Sequence, residues 1–386
     1  MADRAPRILV FHPALASYRV DLFNSLARGG QTRIVFLSDE LPYDAHGNES
    51  IDSNDLRCDH GVLRDAWVAR GRIIPIGLRH ELAAFAPDVV VTHEFSLASA
   101  WMALQGSARR PAWVAWTALS PVQLACLRGP RLQIARMLAH RADSLLTYSH
   151  EAASALSSAA RVSLKKIFTC ANHQSRERLR EVIKRVLPDV VHECGLLGVQ
   201  HRRIVVVVGR LVLTKNIAVT IRAFAAAFPH DARTALVVIG EGPERANLLA
   251  EASRLGIESR VHFLGHRHHD HVLGWLAVSS LHVLASTVEP FGAVVGEGLV
   301  AGTPALVSRA AGAAHLAIPE GNGGVFDPTD EPQLASLIRS FEPRMRDVND
   351  LAHSPRSSLI APSVEDDASG FLAACHSAIA TRAEHD

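Results

Sequence analysis

The chain has 386 residues, 48% of them hydrophobic and 5% aromatic, which is enough apolar material for the cores of two domains of ordinary size. Its 40 basic and 39 acidic residues give a formal net charge of +1, so the whole molecule carries no field that would recruit nucleic acid or an anionic membrane. We therefore expect no nucleic-acid partner.

The N-terminal residues and the cysteines predict the compartment. The first residues contain no secretory h-region, and no run of about 20 apolar residues follows them. The five cysteines are odd in number and have no CxxC spacing, which favours reduced thiols over disulfides or a structural zinc site. We expect a cytoplasmic protein whose membrane contact is at most peripheral, at the inner face of the membrane.

The first half of the chain opens as a strand followed by a helix. Residues 7–11, in which four apolar residues follow Arg7, are typical of a buried strand, and a helix is predicted from about Tyr18 to Arg28. A second strand is expected over residues 32–38. Residues 39–72 are polar and weakly periodic, which predicts a long excursion that either shapes a binding site or is disordered.

A histidine ends a later strand of this half. The run Asp88 to Thr92 reads as a parallel strand and is followed by His93. Ligands of open α/β sheets collect outside the carboxyl ends of such strands, so His93 is a candidate site residue. The alternative is a histidine that only makes structural hydrogen bonds.

The most basic part of the chain lies around residues 165–185. Lys165 and Lys166 are followed by five further cations before residue 186. This region either steers a phosphorylated or membrane-bound acceptor, or forms a solvated helix with ion pairs at helical spacing. The sequence favours the second alternative.

The second half opens with a strand that breaks at a glycine. Five apolar residues follow Arg203, Gly209 ends this run, and Arg210 and Lys215 follow five residues apart. Arginine can bind two phosphate oxygens at once and lysine adds a point charge, so the pair is suited to a diphosphate. After the next strand, Gly240 and Gly242 suit a backbone that approaches a ligand closely.

A histidine-rich loop follows the strand at residues 261–265. Residues 266–271 contain four histidines. Imidazole suits several transition metals, so a metal site is an alternative here. We predict none, because the chemistry indicated by the neighbouring motifs needs no metal.

Two glutamates, Glu289 and Glu297, are separated by seven residues in the stretch from Ser286 to Leu299. A strand is predicted over residues 281–285, and Pro290 to Gly292 then turn the chain into a helix. The unpaired amides and the dipole of a helix start attract phosphate. We expect Glu289 to lie at that start and Glu297 two turns further along.

Together these motifs resemble the retaining glycosyltransferases of family four, of the group 1 type, which carry an E-x7-E motif. The resemblance is continuous from about Ile204 to Ile338. It implies an α/β protein of the GT-B fold, in which two Rossmann-like domains face each other across a cleft that holds the site. The implied parts are an N-terminal acceptor domain over residues 1–185, a nucleotide-sugar donor domain over residues 186–361 and a helix over residues 362–386 that crosses back to the first domain.

The resemblance implies a transfer of sugar from a nucleoside diphosphate sugar, UDP-sugar by default, to an acceptor hydroxyl. No metal and no cofactor other than this co-substrate are expected, and the acceptor is a glycan, a lipid-linked molecule or a small molecule. The implied roles are diphosphate binding by Arg210 and Lys215, with Gly209, Gly240 and Gly242 beside them; distal phosphate binding by the amides of Phe291, Gly292 and Ala293; a donor-sugar hydroxyl for Glu289; and the ribose for Glu297.

The first half departs from the family pattern in three places. Residues 13–17 replace a Gly-Gly loop, although Tyr18 and Arg19 resemble a subgroup whose first helix begins with Tyr-Arg. No histidine follows Trp116, and the family's Asn-Gly-Val-Asp reads Asn-His-Gln-Ser from Asn172. We predict that Tyr18 and Arg19 face the cleft, the alternative being a helix turn that merely packs. Two other functions stay open: a non-catalytic nucleotide-binding subunit, and a nucleotide-sugar epimerase or phosphorylase of the same fold.

Overall fold

Two units make up the chain, each built around its own parallel β-sheet. In a computed structural model, the described residues are 4–38, 55–63, 66–69, 72–105, 110–318, 321–360 and 362–384. The first unit comprises Met1–Gln174 and Ser363–Asp386, and the second comprises Ser175–Pro362. Much of the polar excursion predicted over residues 39–72 lies outside the described residues.

The described residues of the first unit form a seven-stranded parallel sheet and a separate antiparallel pair. The strands are β1 Arg7–His12, β2 Gln31–Phe36, β3 Asp59–Val62, β4 Ala66–Ala69, β5 Arg72–Pro75, β6 Val89–His93, β7 Ala112–Trp116, β8 Ser144–Thr147 and β9 Ile167–Thr169. The sheet order is β3-β2-β1-β6-β7-β8-β9, with β4 and β5 forming the pair. The parallel strands β1 and β6 lie side by side, and the order in which successive strands are added to the sheet reverses between them.

Over the described residues before the second unit begins, the first unit contains six helices. They are α1 Val20–Arg28, α2 Leu78–Phe85, α3 Leu97–Leu104, α4 Pro121–Ala125, α5 Gly129–Arg141 and α6 His150–Ala160. The apolar residues of β1, β6 and β7 are buried on both faces of the sheet, as parallel strands require. This burial explains why those strands read as continuous apolar runs.

The described residues of the second unit form a six-stranded parallel sheet. The strands are β10 Arg203–Val208, β11 Thr234–Ile239, β12 Val261–Gly265, β13 Leu281–Leu284, β14 Ala305–Ser308 and β15 Gly323–Phe326, and the helices are α7 Arg176–Leu196, α8 Ile217–Ala227, α9 Arg245–Arg254, α10 His269–Ala277, α11 Ala293–Val300, α12 Glu331–Ser340 and α13 Val348–His353. In the order β12-β11-β10-β13-β14-β15, the switch point lies between β10 and β13. The predicted phosphate-binding loop and the predicted glutamate stretch follow these two strands.

The last helix, α14 (Val364–Ala383), belongs to the first unit and packs on β7, β8 and β9. Ser363 and Asp366 form a capping box at its start. The buried carboxylate of Asp367 accepts hydrogen bonds from the amides of Ala171 (2.9 Å) and His173 (2.8 Å). The chain first passes from one unit to the other after Gln174. Residues 176–196 then form one helix of the second unit, so the predicted domain boundary at residue 185 would lie inside this helix.

Glu94, directly after β6, is a buried carboxyl in an uncommon backbone conformation. Its φ of 61° is rare for a residue with a side chain, and such strain concentrates at functional sites. Its Oε1 accepts a hydrogen bond from the amide of Ala118 at 3.2 Å. Burial nevertheless raises the pKa of Glu94 to about 7, because it outweighs that bond and the charge of Arg19.

Glycine 370 lets α14 lie against the backbone of β9. A Cβ atom at this position would lie 2.0 Å from the carbonyl oxygen of Thr169. We predict that Gly370→Ala lowers the free energy of unfolding of the first unit by about 3 kcal/mol, because helix and strand must separate. The measurement is urea unfolding followed by tryptophan fluorescence, since Trp101, Trp113 and Trp116 lie in this unit.

Gly195→Ala in α7 is the matched control. A Cβ there meets no atom within 4 Å, so the substitution should be neutral or should stabilise by about 0.5–1 kcal/mol through helix propensity. Equal effects of the two substitutions would contradict the close approach of α14 to β9.

The raised pKa of Glu94 predicts a pH-dependent stability. A carboxyl whose pKa is higher in the folded protein contributes stability below its ordinary value of 4.5, and this contribution is lost as the pH rises through about 7. Relative to wild type, Glu94→Gln should therefore gain on the order of 2–3 kcal/mol between pH 4.5 and 8. Urea unfolding of both proteins across this range measures the difference.

The contribution of Glu94 is obtained only from the difference in the free energy of unfolding between wild type and Glu94→Gln. Burial lowers the pKa of His12 to about 3 and that of His93 well below its ordinary value, so both histidines destabilise the fold as the pH falls. Their effect is common to wild type and variant. A difference that stays constant with pH would show that Glu94 keeps an ordinary pKa.

Candidate functional site

The predicted donor residues of the second unit lie at the carboxyl edge of its sheet, around the switch point between β10 and β13. The chain leaves β10 through Gly209, forms a 3₁₀ turn over Leu213–Lys215 and enters α8 at Asn216. The backbone of this loop is bound to the loop after β13, because the amide of Thr287 donates to the carbonyl of Thr214 at 2.8 Å. The two sequence motifs are therefore joined by a direct hydrogen bond.

The glycines after β11 permit very close backbone contacts at this edge. A Cβ at Gly240 would lie 2.0 Å from the carbonyl oxygen of Gly209, and a Cβ at Gly242 would lie 2.4 Å from that of Leu211. Their φ values of 139° and 157° are also unfavourable for other residues. In the structure these glycines support the loop that carries Arg210, so their observed contacts are with protein backbone.

Lys215 and Glu289 form an ion pair across this edge, 74 residues apart in sequence. The same carboxylate oxygen, Oε2, accepts a hydrogen bond from the hydroxyl of Ser286 at 3.2 Å. The side chain of Lys215 is 22% exposed and that of Glu289 is 10% exposed, so both are within reach of a ligand. The two predicted motifs thus place a cation and a carboxylate in direct contact.

The helix predicted after Glu289 begins at Ala293. Gly292 is its N-cap and has a φ of 94°, and a Cβ there would lie 2.7 Å from Leu284. The first amides of an α-helix have no partner within the helix, and its dipole favours an anion. Phe291 is buried at 5% exposure and its carbonyl accepts from the amide of Ala313 at 2.8 Å, which fixes the entry to the helix.

Glu297 lies on the second turn of α11 and has a different partner. Its Oε1 is 3.1 Å from Nε2 of His269, the first residue of α10. Burial disfavours the charged imidazole, but the charge and hydrogen bond of Glu297 outweigh this and raise the pKa of His269. A carboxylate held in this way keeps one oxygen in a fixed direction.

The arrangement as a whole is suited to a phosphorylated ligand. Arg210 is exposed on the loop after β10, Lys215 lies at its end, and the start of α11 faces the same edge of the sheet. Cations and helix starts bind phosphate oxygens, and buried carboxylates bind hydroxyls. The edge can therefore hold a phosphate and a polyol in one ligand.

In the first unit, the predicted residues Arg19 and His93 meet at a tyrosine. Arg19 donates to the hydroxyl of Tyr148, and Nε2 of His93 lies 3.3 Å from the same oxygen. The guanidinium lies 4.2 Å from the ring centroid of Trp116 and 5.5 Å from that of Tyr18. Arg19 is only 1% exposed, so it is a buried cation rather than a surface one.

This cluster lies at the switch point between β1 and β6. The ring of His12, the last residue of β1, has its centroid 4.6 Å from that of His93. Their lowered pKa values leave both rings neutral at physiological pH. Nε and Nη1 of Arg19 have no hydrogen-bond partner among the described residues, which is costly for a buried cation and is a mark of functional sites.

Three contributors were not predicted from sequence. Tyr148, Ser286 and His269 each bond to a predicted site residue, but serine and tyrosine at strand ends carry no distinctive local signal. His269 could have been found, since it belongs to the histidine-rich loop at residues 266–271. Within the described part of the chain, no three histidine, cysteine, aspartate or glutamate side chains are grouped as metal ligands would be.

Comparison with known proteins agrees with this geometry. Residues 197–351 match the family model described as "Glycosyl transferases group 1". This range begins just before β10 and includes both motifs of the second unit. Over the described residues, no helix is both long enough and apolar enough to cross a membrane.

Two curated relatives match part of the chain. A lipopolysaccharide core biosynthesis glycosyltransferase, LpsD of Rhizobium meliloti, is 35% identical over 144 residues, which is 37% of this chain and 39% of the relative. The D-inositol 3-phosphate glycosyltransferase of Corynebacterium glutamicum is 31% identical over 168 residues, 41% of this chain and 40% of the relative. The chain thus spans about two fifths of the length of each.

Solved structures are similar over nearly the whole chain. The lipopolysaccharide outer core galactosyltransferase WaaB in its apo form has a TM-score of 0.64 and 15% identity, covering 96% of this chain and 99% of its own. HepE of Anabaena in complex with UDP has a TM-score of 0.68 and 19% identity, covering 98% of both chains. At these identities the likeness shows the fold alone.

The predicted resemblance to group 1 glycosyltransferases and the predicted α/β fold class with two Rossmann-like halves are therefore confirmed. The chain carries a glycosyl transferases group 1 domain over residues 197–351 and is built from two Rossmann-like halves, a fold that it shares with its GT-B structural neighbours.

Proposed function

We propose that this protein transfers a sugar from a nucleoside diphosphate sugar, UDP-sugar by default, to an acceptor hydroxyl, with retention of the anomeric configuration and without a metal ion. The names of the relatives support sugar transfer, and the solved complexes of HepE with UDP and with UDP-glucose support a nucleotide-sugar donor. The second unit would hold the donor.

The observation that carries the proposal is the contact between Lys215 and Glu289 at the switch point of the second sheet. It unites a cation suited to phosphate with a carboxylate suited to a sugar hydroxyl. In the absence of donor each neutralises the other. A bound diphosphate would compete for the ammonium, and a sugar hydroxyl would then donate to Glu289.

The proposed reaction breaks the bond between the anomeric carbon and the distal phosphate oxygen, whose electron pair stays on the phosphate. The acceptor oxygen bonds to the anomeric carbon on the same face, and its proton passes to the departing phosphate oxygen. Arg210, Lys215 and the amides of Phe291, Gly292 and Ala293 would stabilise the charge that develops on the leaving group. No metal and no enzymic nucleophile take part in this scheme.

Glu297 is proposed to accept hydrogen bonds from the ribose hydroxyls. His269 would act as a positioning residue, because its Nε2 holds one oxygen of this carboxylate at 3.1 Å. The two glutamates would then divide the donor between them, with Glu289 at the sugar and Glu297 at the ribose.

On the acceptor side, Tyr18, Arg19 and His93 remain the proposed residues. Tyr18 is half-buried and is the most accessible of the three, whereas Arg19 and His93 are buried. Tyr18 is therefore the proposed contact, and the other two would position it through the aromatic cluster. A glycan, a lipid-linked molecule and a small molecule all remain proposed acceptor classes.

Replacing Lys215 tests the diphosphate site. We expect Lys215→Gln to weaken the binding of UDP by about tenfold to a hundredfold, because a charge-assisted contact with phosphate is lost. The binding of uridine should change by less than about twofold, since it has no phosphate. Calorimetric titration in EDTA measures both ligands and also tests metal independence.

Lys184→Gln, an exposed cation on α7, is the matched control and should bind UDP as wild type does. The other nucleoside diphosphates are titrated in parallel to identify the base. Unchanged binding of every diphosphate by Lys215→Gln would rule out the proposed donor site.

Turnover separates an enzyme from a non-catalytic subunit. With the donor identified, Glu289→Gln should retain UDP binding but lose transfer, and the product of wild type should have the donor's anomeric configuration. Nucleotide binding without transfer to any acceptor would favour the non-catalytic reading, and an altered sugar in place of a new linkage would indicate an epimerase.

Replacing Glu297 tests the ribose contact. We expect wild type to bind UDP about tenfold more tightly than 2′-deoxy-UDP, because the absent hydroxyl leaves a buried carboxylate unsatisfied. In Glu297→Ala this preference should fall to about twofold or less. His269→Gln should give an intermediate preference. A preference that persists in Glu297→Ala would show that another group binds the ribose.

A further inference from the structure

One segment of the first unit, residues 95–142, contains no acidic residue. It holds six of the 40 basic residues of the chain, all of them arginine, and none of the 39 acidic residues. Because these arginines contribute +6 to a formal net charge of +1, the residues outside the segment carry a net charge of −5. Charges act over only about 8 Å at physiological salt, so the near-neutral total does not describe the surface of this segment.

The basic run at residues 165–185 differs from this segment. It contains Glu177 and Glu181 among its cations, and it is divided between the two units. On α7 its cations are interspersed with acids, as in a solvated helix. The acid-free segment is therefore the stronger candidate for a positively charged surface.

Helices α3 and α5 carry much of the acid-free segment and cover the same face of the sheet. Met102 of α3 and Leu138 of α5 pack in one core against the strands. The two helices are neighbours, because Arg141 at the end of α5 donates to the carbonyl of Ala103 in α3 at 2.7 Å. Their outer sides therefore lie next to each other, and we call the exposed residues of these two helices the α3–α5 face.

The α3–α5 face is apolar where the outer side of a helix is ordinarily polar. Helix α3 has no charged residue. Its Leu97 and Leu104, and Ile134 and Met137 of α5, are between 41% and 76% exposed. Arg131, Ile134 and Met137 follow one another at intervals of three residues, which places them on one side of α5. A helix that is apolar on its outer side as well as on its buried side calls for a partner other than water.

Arginines accompany these apolar side chains without acidic partners. Helix α5 and its N-cap Arg128 carry four arginines and no acid. Arg128 donates to backbone carbonyls, and neither Arg128 nor Arg131 forms an ion pair with any residue that the structure describes. Asp143, just after α5, is paired with Arg110 at 2.6 Å. Helix α6, which packs against α5, carries one acid, Glu151, so positive charge prevails here.

We propose that the α3–α5 face binds the surface of an anionic lipid membrane. Arginine side chains can lay their apolar stems on such a surface and direct their guanidinium groups to the phosphates of the headgroups. Leucine, isoleucine and methionine side chains beside them enter the boundary between headgroups and acyl chains.

A second copy of this chain suits the face less well. A two-fold contact between identical faces would bring arginines towards arginines, with no acid in either helix to pair with them. Lipid binding also does not depend on the proposed sugar transfer, because neither helix belongs to the unit that carries the proposed donor edge. The two proposals can therefore fail separately.

Vesicle sedimentation of the full chain tests the proposal. Phosphatidylcholine vesicles with and without about 30% phosphatidylglycerol are used at about 0.1 M salt. We expect wild type to bind the anionic vesicles at least about tenfold more tightly than the neutral ones. Arg128→Gln/Arg131→Gln should weaken this binding by at least about tenfold, whereas Arg128→Lys/Arg131→Lys, which keeps the charge, should retain most of it.

A second variant, Ile134→Gln/Met137→Gln, tests the apolar contribution. Glutamine has a high helix propensity and both positions are exposed, so α5 should stay folded, which thermal melting checks. Binding to the anionic vesicles should fall by about fivefold or more, because the apolar contact with the lipid is lost.

Matched controls lie in the second unit. Lys184→Gln/Arg233→Gln removes the same charge from exposed positions, and Leu196→Gln/Leu249→Gln removes two exposed apolar side chains. Both controls should bind vesicles as wild type does.

Three vesicle results would overturn the proposal: no binding of wild type to the anionic vesicles, equal binding to both kinds of vesicle, or equal losses in the test and control variants. Sedimentation velocity without vesicles tests the other occupant. A wild-type dimer that Ile134→Gln/Met137→Gln dissociates, without any vesicle binding, would also overturn the proposal and would assign the face to a second copy.

Discussion

The close approach of two glycine backbones is the constraint on which the proposed donor edge of the second unit depends. Gly240 lies so near the carbonyl of Gly209 that no side chain fits between β10 and the loop after β11, and Gly242 repeats this at Leu211. The loop after β10 is thereby held against the sheet. Lys215 at its end can then meet Glu289, which arrives from β13. A larger residue at either glycine would displace the loop that carries the cations.

The charged side chains at the switch points of the two units differ in their pairing and in their exposure. In the second unit, Lys215 and Glu289 neutralise each other at a partly exposed edge, so a ligand can exchange places with either partner. In the first unit, Arg19 is buried against Trp116 and Tyr148 beside two neutral histidines. A buried cation with incomplete hydrogen bonding is costly in free energy, and this cost is the reason that Arg19 is proposed to position Tyr18 and not only to pack.

Local sequence predicted the strands, their polar ends and the residue types that bind phosphate, because each of these depends on a few consecutive residues. The run before Gly209 and the turn before α11 were both found in this way. The boundary at residue 185 differed from the structure, since nothing in the helical periodicity of residues 176–196 marks which sheet the helix covers. Tyr148 was missed for a similar reason: its role exists only because the chain after β8 contacts Arg19, which precedes α1, and His93, which ends β6.

The sequence by itself therefore determined the fold class, the resemblance to group 1 glycosyltransferases and the charged residues of the two motifs at the second unit's edge. Tertiary structure alone decided which groups are partners. Lys215 pairs with Glu289 across 74 residues, and His269 pairs with Glu297 across 28. These pairings depend on the order of strands in the sheets, and strand order is set by long-range packing that no local pattern records.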